Sequence, residues 1–397
     1  MSVLDKFLKY VSFETTALEG SDTAASNPLI YHLAQEMLLE LQALNPNEIS
    51  INRFGVVDAK FYGDPSLPSI ALLAHMDTSG ACSGKDVKAR IVKYDGTPVK
   101  LQEGMYLSEK EFPFLKESLG HEIIVTDGNT LLGGDDKAGM AIIMEALEDI
   151  IKNNVNHRTL EIIFTTDEEI GLDAKHISRE IVTSEYGYTI DGGDYRFVSI
   201  ESFSAYSMEV EVKGRSIHPG YSKDKMVNAS NILIRFHQAL PEFLRPEHTD
   251  QKEPFYHLSN IQSCEDHAKG DYIIRSFEDA QALQLIELAK LTARRINDDI
   301  GYEAITLHFE NQYHNMKVEL DKHPEIQKEY EGVYAKLGIP FMYEAIRGGT
   351  TGSQLSFMGL PTPNLGTGDY NMHGRYEYVD LDQMKVMVSV VRELMLA

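Results

Sequence analysis

Short apolar runs alternate with a longer pattern of helical period through the first half of the chain. The runs are SIALLA (69–74), EIIV (122–125), LEIIF (160–164) and YGYTI (186–190), and between the second and third lies AGMAIIMEALEDIIKN (138–153). Runs this short suit strands buried on both faces, while the longer stretch suits a helix packed on them, so the rhythm predicts an α/β sheet. Each run ends in a polar cluster: HMD, TDG, TTDEE and DGGD. Ligands of open α/β sheets bind just beyond the carboxyl ends of the strands, so these clusters are expected to converge on one edge.

The texture changes near Tyr206. SMEVEVKG alternates apolar and polar residues like an antiparallel strand; helical stretches follow around Asn228–Leu240 and Asp279–Asp299, with strand-like YIIRSF and AITLHFE among them. The last stretch, from VYAKLGIP through the helical DLDQMKVMVSVVRELML, returns to α/β texture and brings one more polar cluster, DYNMHGRYE. The predicted organisation is a first domain in two parts, 1–205 and 314–397, with a smaller α+β domain, 206–313, inserted into it.

A chain of 397 residues, 43% of them hydrophobic, is long enough for two cores. Its formal net charge of −24 disfavours nucleic acid and anionic membrane as partners and favours cations. Two cysteines, Cys82 and Cys264, stand far apart without a CxxC spacing, which argues against a disulfide framework and a thiolate metal site and for a reducing compartment. The N-terminus carries charges throughout, and Leu4, Phe7, Leu8 and Val11 fall at helical spacing, so it reads as an amphipathic helix rather than a signal peptide. No apolar run approaches the roughly 20 residues of a membrane span, and a cytoplasmic location is expected. Assembly as a homodimer is left open.

Candidate chemistry sits in the strand-end clusters. His75-Met76-Asp77 pairs a histidine with a carboxylate two residues on, the spacing of a metal ligand and the group that orients its ring; a satisfied histidine beside a turn is the plainer reading. In LLGGDDKAG (131–139), a glycine turn presents Asp135 and Asp136 at a helix start, where they could bridge cations or only cap the helix. Glu168 and Glu169 follow a strand; on an extended segment they would project to opposite sides, one to a metal and one to a bound water, although an acidic solvated turn reads the same way. Asp191 and His373 complete a shell of imidazoles and carboxylates such as Zn, Mn or Co accept. Packing so many acids together is repulsive without cations, which favours a two-metal site.

Taken in order, HMDTS, CSGK, TDGNTLLGGDDKAG, TTDEEIG, TIDGG, IHPG, YIIRSF, IRGGT, QLSFMGLPTPNL and YNMHG resemble the tripeptide aminopeptidases among the dinuclear zinc exopeptidases of the M20 family, over nearly the whole chain. The resemblance implies a catalytic domain with a mixed sheet flanked by helices, an inserted lid domain, and two divalent ions, most simply zinc. It implies His75, Asp135, Glu169, Asp191 and His373 as ligands with Asp135 bridging, a cis bond at Asp135-Asp136, Glu168 as general base and Asp77 as orienter of His75. It further implies His218 as donor to the oxyanion, with Arg275 and Arg347 gripping a substrate carboxylate or backbone, roles that a fork of guanidinium donors suits. A structural ion pair is the alternative for either arginine, and Asn228 is a further candidate for polar substrate contact.

Two departures stand out. These enzymes typically read GGTDG where this chain has Gly349-Thr350-Thr351-Gly352, so Thr351 replaces a carboxylate, and the segment 200–206 (IESFSAY) differs from the usual wording. The expected function is removal of the N-terminal residue from small peptides, tripeptides first. The alternatives are another metallohydrolase of this type (dipeptidase, carboxypeptidase or N-acyl-amino-acid deacylase) and a peptide-binding protein without catalysis.

Overall fold

The structure is a computed structural model that describes residues 1–21, 25–177 and 181–396. The chain divides into two compact units, Met1–Ile200 with Glu319–Glu344 and Thr350–Ala397, and Glu201–Val318 with Ala345–Gly349. The division falls at 200/201 and 318/319 rather than at 205/206 and 313/314, and the short segment after Glu344 belongs with the second unit.

An eight-stranded mixed sheet runs in the order Glu48–Ile51, Val57–Phe61, Leu160–Thr165, Ile70–His75, Tyr186–Ile190, Asn364–Leu365, Phe197–Ser202 and Met342–Ile346. Its centre is parallel: Ile70–His75 pairs in parallel with both Leu160–Thr165 and Tyr186–Ile190, and Tyr186–Ile190 with Asn364–Leu365. Every residue of Ile70–His75, Leu160–Thr165 and Tyr186–Ile190 is buried, as strands covered on both faces must be. The helix Gly134–Lys152 covers this centre and buries Ala138, Met140, Ile142, Ile143 and Leu147 in the core. The helix Val3–Tyr10, closed by a capping box of Ser2 and Asp5, buries Val3, Phe7 and Tyr10, so its apolar stripe is rotated from the expected one, with Leu4 and Leu8 at the margin.

The run EIIV corrects one expectation. Glu122–Val125 lies in a separate antiparallel sheet, ordered Asp369–Tyr370, Tyr378–Asp380, Glu122–Val125 and Arg90–Lys93, and not in the main sheet. A run of four residues, three of them apolar, specifies a strand but not its partners.

The second unit is a four-stranded antiparallel sheet, ordered Phe255–Ser263, His267–Ser276, Ser204–Lys213 and Ile305–Tyr313, with helices Ala229–Ala239 and Asp279–Ile300. Tyr206, Met208, Val210 and Val212 alternate into its core beside Leu233, Phe236, Ile286 and Ala289. Among the described residues, no helix is long and apolar enough to cross a membrane.

Candidate metal centre

The ends of three parallel strands and the turns after them place His75, Glu169 and Asp191 at one edge of the main sheet, the start of the helix Gly134–Lys152 adds Asp135, and the loop after Asp369–Tyr370 adds His373. His75 ends its strand, opposite Thr165 in register, and Asp191 follows Ile190 directly. His75 Nε2 lies 2.8 Å from Asp135 Oδ1 and 3.9 Å from Asp191 Oδ1. His373 Nε2 lies 3.0 Å from the other Asp135 oxygen, Oδ2, and 3.1 Å from Glu169 Oε2. Two sets of groups able to hold a metal ion result, His75, Asp135 and Asp191 on one side and Asp135, Glu169 and His373 on the other, with ligand atoms within 4.8 Å of one another in each. Asp135 belongs to both.

The helix start at 134 separates the two adjacent aspartates by role. Asp136 does the capping, its Oδ1 accepting from Gly139 N and its Oδ2 from His75 N, both at 3.2 Å. The peptide bond Asp135-Asp136 is cis, and both residues have non-helical backbone angles. Asp135 is thereby left to face the two histidines.

Glu168 and Glu169 do not lie on an extended segment. Glu168–Ile170 is a single 3₁₀ turn entered through Asp167 in the left-handed conformation, φ 66°. The Asp77 carboxylate holds this turn, its two oxygens accepting from Glu168 N at 3.2 Å and Glu169 N at 3.1 Å. The role expected of Asp77 changes accordingly. Its carboxylate is 3.6 Å from His75 Nδ1, too far for a hydrogen bond, and the ring nitrogen meets the Asp77 carbonyl oxygen at 3.0 Å instead.

The charges in this cluster conflict. Burial and the charge of Asp135 push Asp191 up to about 8 and Glu169 up to about 7, and burial, against the pull of His75 and with smaller pushes from Asp173 and Asp191, lifts Glu168 well above the usual carboxylate range. Burial also works against ionised Asp135, but hydrogen bonds from His373 and His75 hold it far below that range. His373 is raised to about 9, chiefly by its bond to Asp135. Glu169 Oε1 is buried with no hydrogen-bond partner among the described residues. An orphaned carboxylate oxygen among acids that resist joint ionisation is what divalent cations relieve, and imidazole with carboxylate suits zinc or manganese.

The remaining candidates lie in the second unit. His218 is exposed, and its Nδ1 accepts from Gly220 N at 3.1 Å, which leaves Nε2 to carry the ring N–H of the neutral form. Arg275 donates to the carbonyl oxygens of Ile274, at 3.1 Å, and Tyr206, at 3.4 Å, and lies over the Tyr313 ring. Arg347 donates to the carbonyl oxygens of Gln251 and Glu253 and to Thr249 Oγ1, and lies over Phe203 and Phe255. Neither guanidinium pairs with a carboxylate among the described residues, which removes the structural ion pair as an explanation. Asn228 caps the helix Ala229–Ala239, its Oδ1 accepting from Asn231 N at 3.1 Å, and this accounts for the residue without a ligand.

Residues 125–397 match the model of peptidase family M20/M25/M40. The chain belongs to that family. Relatives of this M20 peptidase include Peptidase T of Caldanaerobacter subterraneus subsp. tengcongensis, 40% identical over 98% of this chain and 97% of the relative, and Peptidase T of Geobacillus sp. strain WCH70, 38% identical over 99% and 97%. Among solved structures, the aminopeptidase PepT of Bacillus cereus superposes with TM-score 0.77 at 20% identity over 99% of this chain and 97% of that one. A tripeptidase of Staphylococcus aureus superposes with TM-score 0.76 at 20% identity over 99% and 96%. These likenesses fix the fold as the mixed α/β fold of the M20 peptidases.

Sequence reasoning passed over three residues of this M20 peptidase. Glu377, four positions after His373, is buried and accepts from the backbone N–H of Leu132, Gly133, Gly134 and Asp135 at 2.6 to 3.3 Å. Buried Asp173 accepts from the hydroxyl of Thr351, so the position where the resemblance implies Asp is tied to a carboxylate supplied by another element. Asp369, wholly buried, has no hydrogen-bond partner among the described residues for either carboxylate oxygen and lies against Gly134. The only sequence signal was the acid content of YNMHGRYE and of GLDA; their partners are remote in the chain.

Proposed function

We propose that this peptidase removes the N-terminal residue from tripeptides, with two divalent cations, zinc by preference, held by His75, Asp191, Asp135, Glu169 and His373. The observation that carries the proposal is the pair of ligand sets sharing Asp135, one oxygen toward each histidine. When bound, such ions supply a Lewis acid for the peptide carbonyl and acidify water to a pKa of about 7. A solved M20 relative with TM-score 0.66 is described as a dinuclear metal-binding peptidase, which supports the pair.

Glu168 takes the proton from the attacking water and passes it to the leaving amine. Its carboxylate accepts no hydrogen bond from the described residues, and its backbone is fixed by Asp77, which leaves the side chain free to take and return a proton. His218, with Nε2 preset as donor, meets the developing oxyanion. Arg275 and Arg347, without carboxylates of their own, take the substrate's. A cytoplasmic location accords with Cys82 and Cys264, both free thiols.

Dialysis against a chelator is expected to abolish cleavage of a free-amine tripeptide, and zinc, manganese or cobalt to restore it. Undiminished turnover by fully demetallated protein would overturn the metal reading. Assay of the tripeptide beside its N-acetylated form and a dipeptide separates the substrate classes: preference for the acetylated peptide would make the enzyme a deacylase, and preference for the dipeptide a dipeptidase.

A further inference from the structure

We propose that Glu377 is a positioning residue for the metal centre, fixing the turn that presents Asp135 between the two histidines. The inference rests on Asp135 as the shared ligand. Glu377 Oε2 accepts from Leu132 N at 2.6 Å and Gly133 N at 3.0 Å, while Oε1 accepts from Gly134 N at 2.6 Å and Asp135 N at 3.3 Å. One carboxylate thus gathers four consecutive main-chain donors, the last belonging to Asp135 itself.

The turn is closely packed where it stands. Gly133 has φ +80°, and a Cβ on Gly134 would stand 2.6 Å from Asp369 Oδ1 and 2.7 Å from Val379 Cγ2. On the other side, the loop carrying Glu377 also carries His373. Glu377 N bonds back to Gly374 O, Asn371 Nδ2 closes the loop on Tyr376 O at 3.1 Å, and His373 holds φ +63° within it. A single loop therefore grips Asp135 twice, by His373 at the carboxylate and by Glu377 at the main chain. The spacing between His373 and Asp135, and with it the set of Asp135, Glu169 and His373, depends on the Glu377 bracket.

Glu377→Gln keeps the shape but turns an NH2 group toward two of the four donors. Zinc titrated against a chromogenic chelator should show the weaker of the two binding steps loosened roughly 10–100-fold, as for other groups that hold ligands in place. Melting of the metal-free variant should stay within a few degrees of the parent, and excess zinc should restore kcat with KM unchanged. Zinc affinity within about threefold of the parent would overturn the proposal, leaving Glu377 a purely structural group. Should the variant fail to fold, hydrogen exchange of the parent protein decides. Protection of the amides at 132–135 before zinc is added supports a bracket that precedes the metal, and free exchange until zinc is added overturns it. Asp135→Ala tests the underlying reading separately: a zinc stoichiometry still at two would remove Asp135 as the shared ligand, whatever Glu377 does.

Discussion

Replacing Thr351 by the aspartate that resembling enzymes carry should destabilise this protein in a pH-dependent way. Thr351 and Asp173 are 5% and 1% exposed, and the Thr351 hydroxyl donates to the Asp173 carboxylate. Burial already pushes Asp173 up to about 6 against the pull of that hydroxyl. Thr351→Asp removes the donor and sets a second carboxylate in its place. With both ionised, repulsion at about 4 Å and an effective dielectric near 20 costs roughly 4 kcal/mol. The alternative is to keep one carboxyl protonated, which costs about 1.4 kcal/mol per pH unit above an unfolded pKa near 3.9. At pH 8 that would be roughly 5.6 kcal/mol, so the cheaper ionised pair sets the loss at about 4; at pH 5 retaining the proton costs only about 1.5. The folded pair holds a proton that the unfolded chain releases above pH 4, so stability falls as pH rises from about 5 to 8. Urea unfolding of the metal-free variant and parent at both pH values measures the difference, and adding Asp173→Asn, which returns an amide donor, should recover most of it. Equal losses at pH 5 and pH 8, or no recovery with Asp173→Asn, would refute the reasoning.

The α/β class was legible because strands buried on both faces are mostly apolar, as Ile70–His75, Leu160–Thr165 and Tyr186–Ile190 are, with His75, Glu161, Thr165 and Thr189 as their buried polar members. A residue that closes such a strand, like His75, or follows it, like Asp191, has its place on the sheet edge set by the strand alone. Pairing is a different matter: Glu122–Val125 reads as a strand, yet nothing in four residues says that it joins Tyr378–Asp380 instead of the main sheet. The division of labour between Asp135 and Asp136 was illegible for a related reason, since either could cap the helix and only the backbone angles between them decide which one does. Glu377 escaped reading because its partners are main-chain N–H groups 242 to 245 residues away, and amides leave no trace in a sequence. Asp173 and Thr351, 178 residues apart, are compensating only in space.

Two substitutions test the division between ligands and acid-base groups. Glu168→Gln should lower kcat by roughly 10²–10⁴-fold while both metal ions are retained, because the side chain offers no atom to either ligand set and its neighbour Glu169 does. Metal analysis alongside steady-state kinetics checks it, and loss of a metal ion would make Glu168 a ligand instead. His218→Ala should lower kcat by roughly 10²–10³-fold with little change in KM, since the role proposed for His218 acts on the transition state and hardly on the bound peptide. The hydrogen bond from Gly220 N to Nδ1 makes the argument sharper than truncation alone allows. With Nδ1 taken by Gly220 N, Nε2 carries the ring N–H of the neutral form and is the atom left to donate. Unchanged kcat in His218→Ala would remove His218 as the donor to the oxyanion.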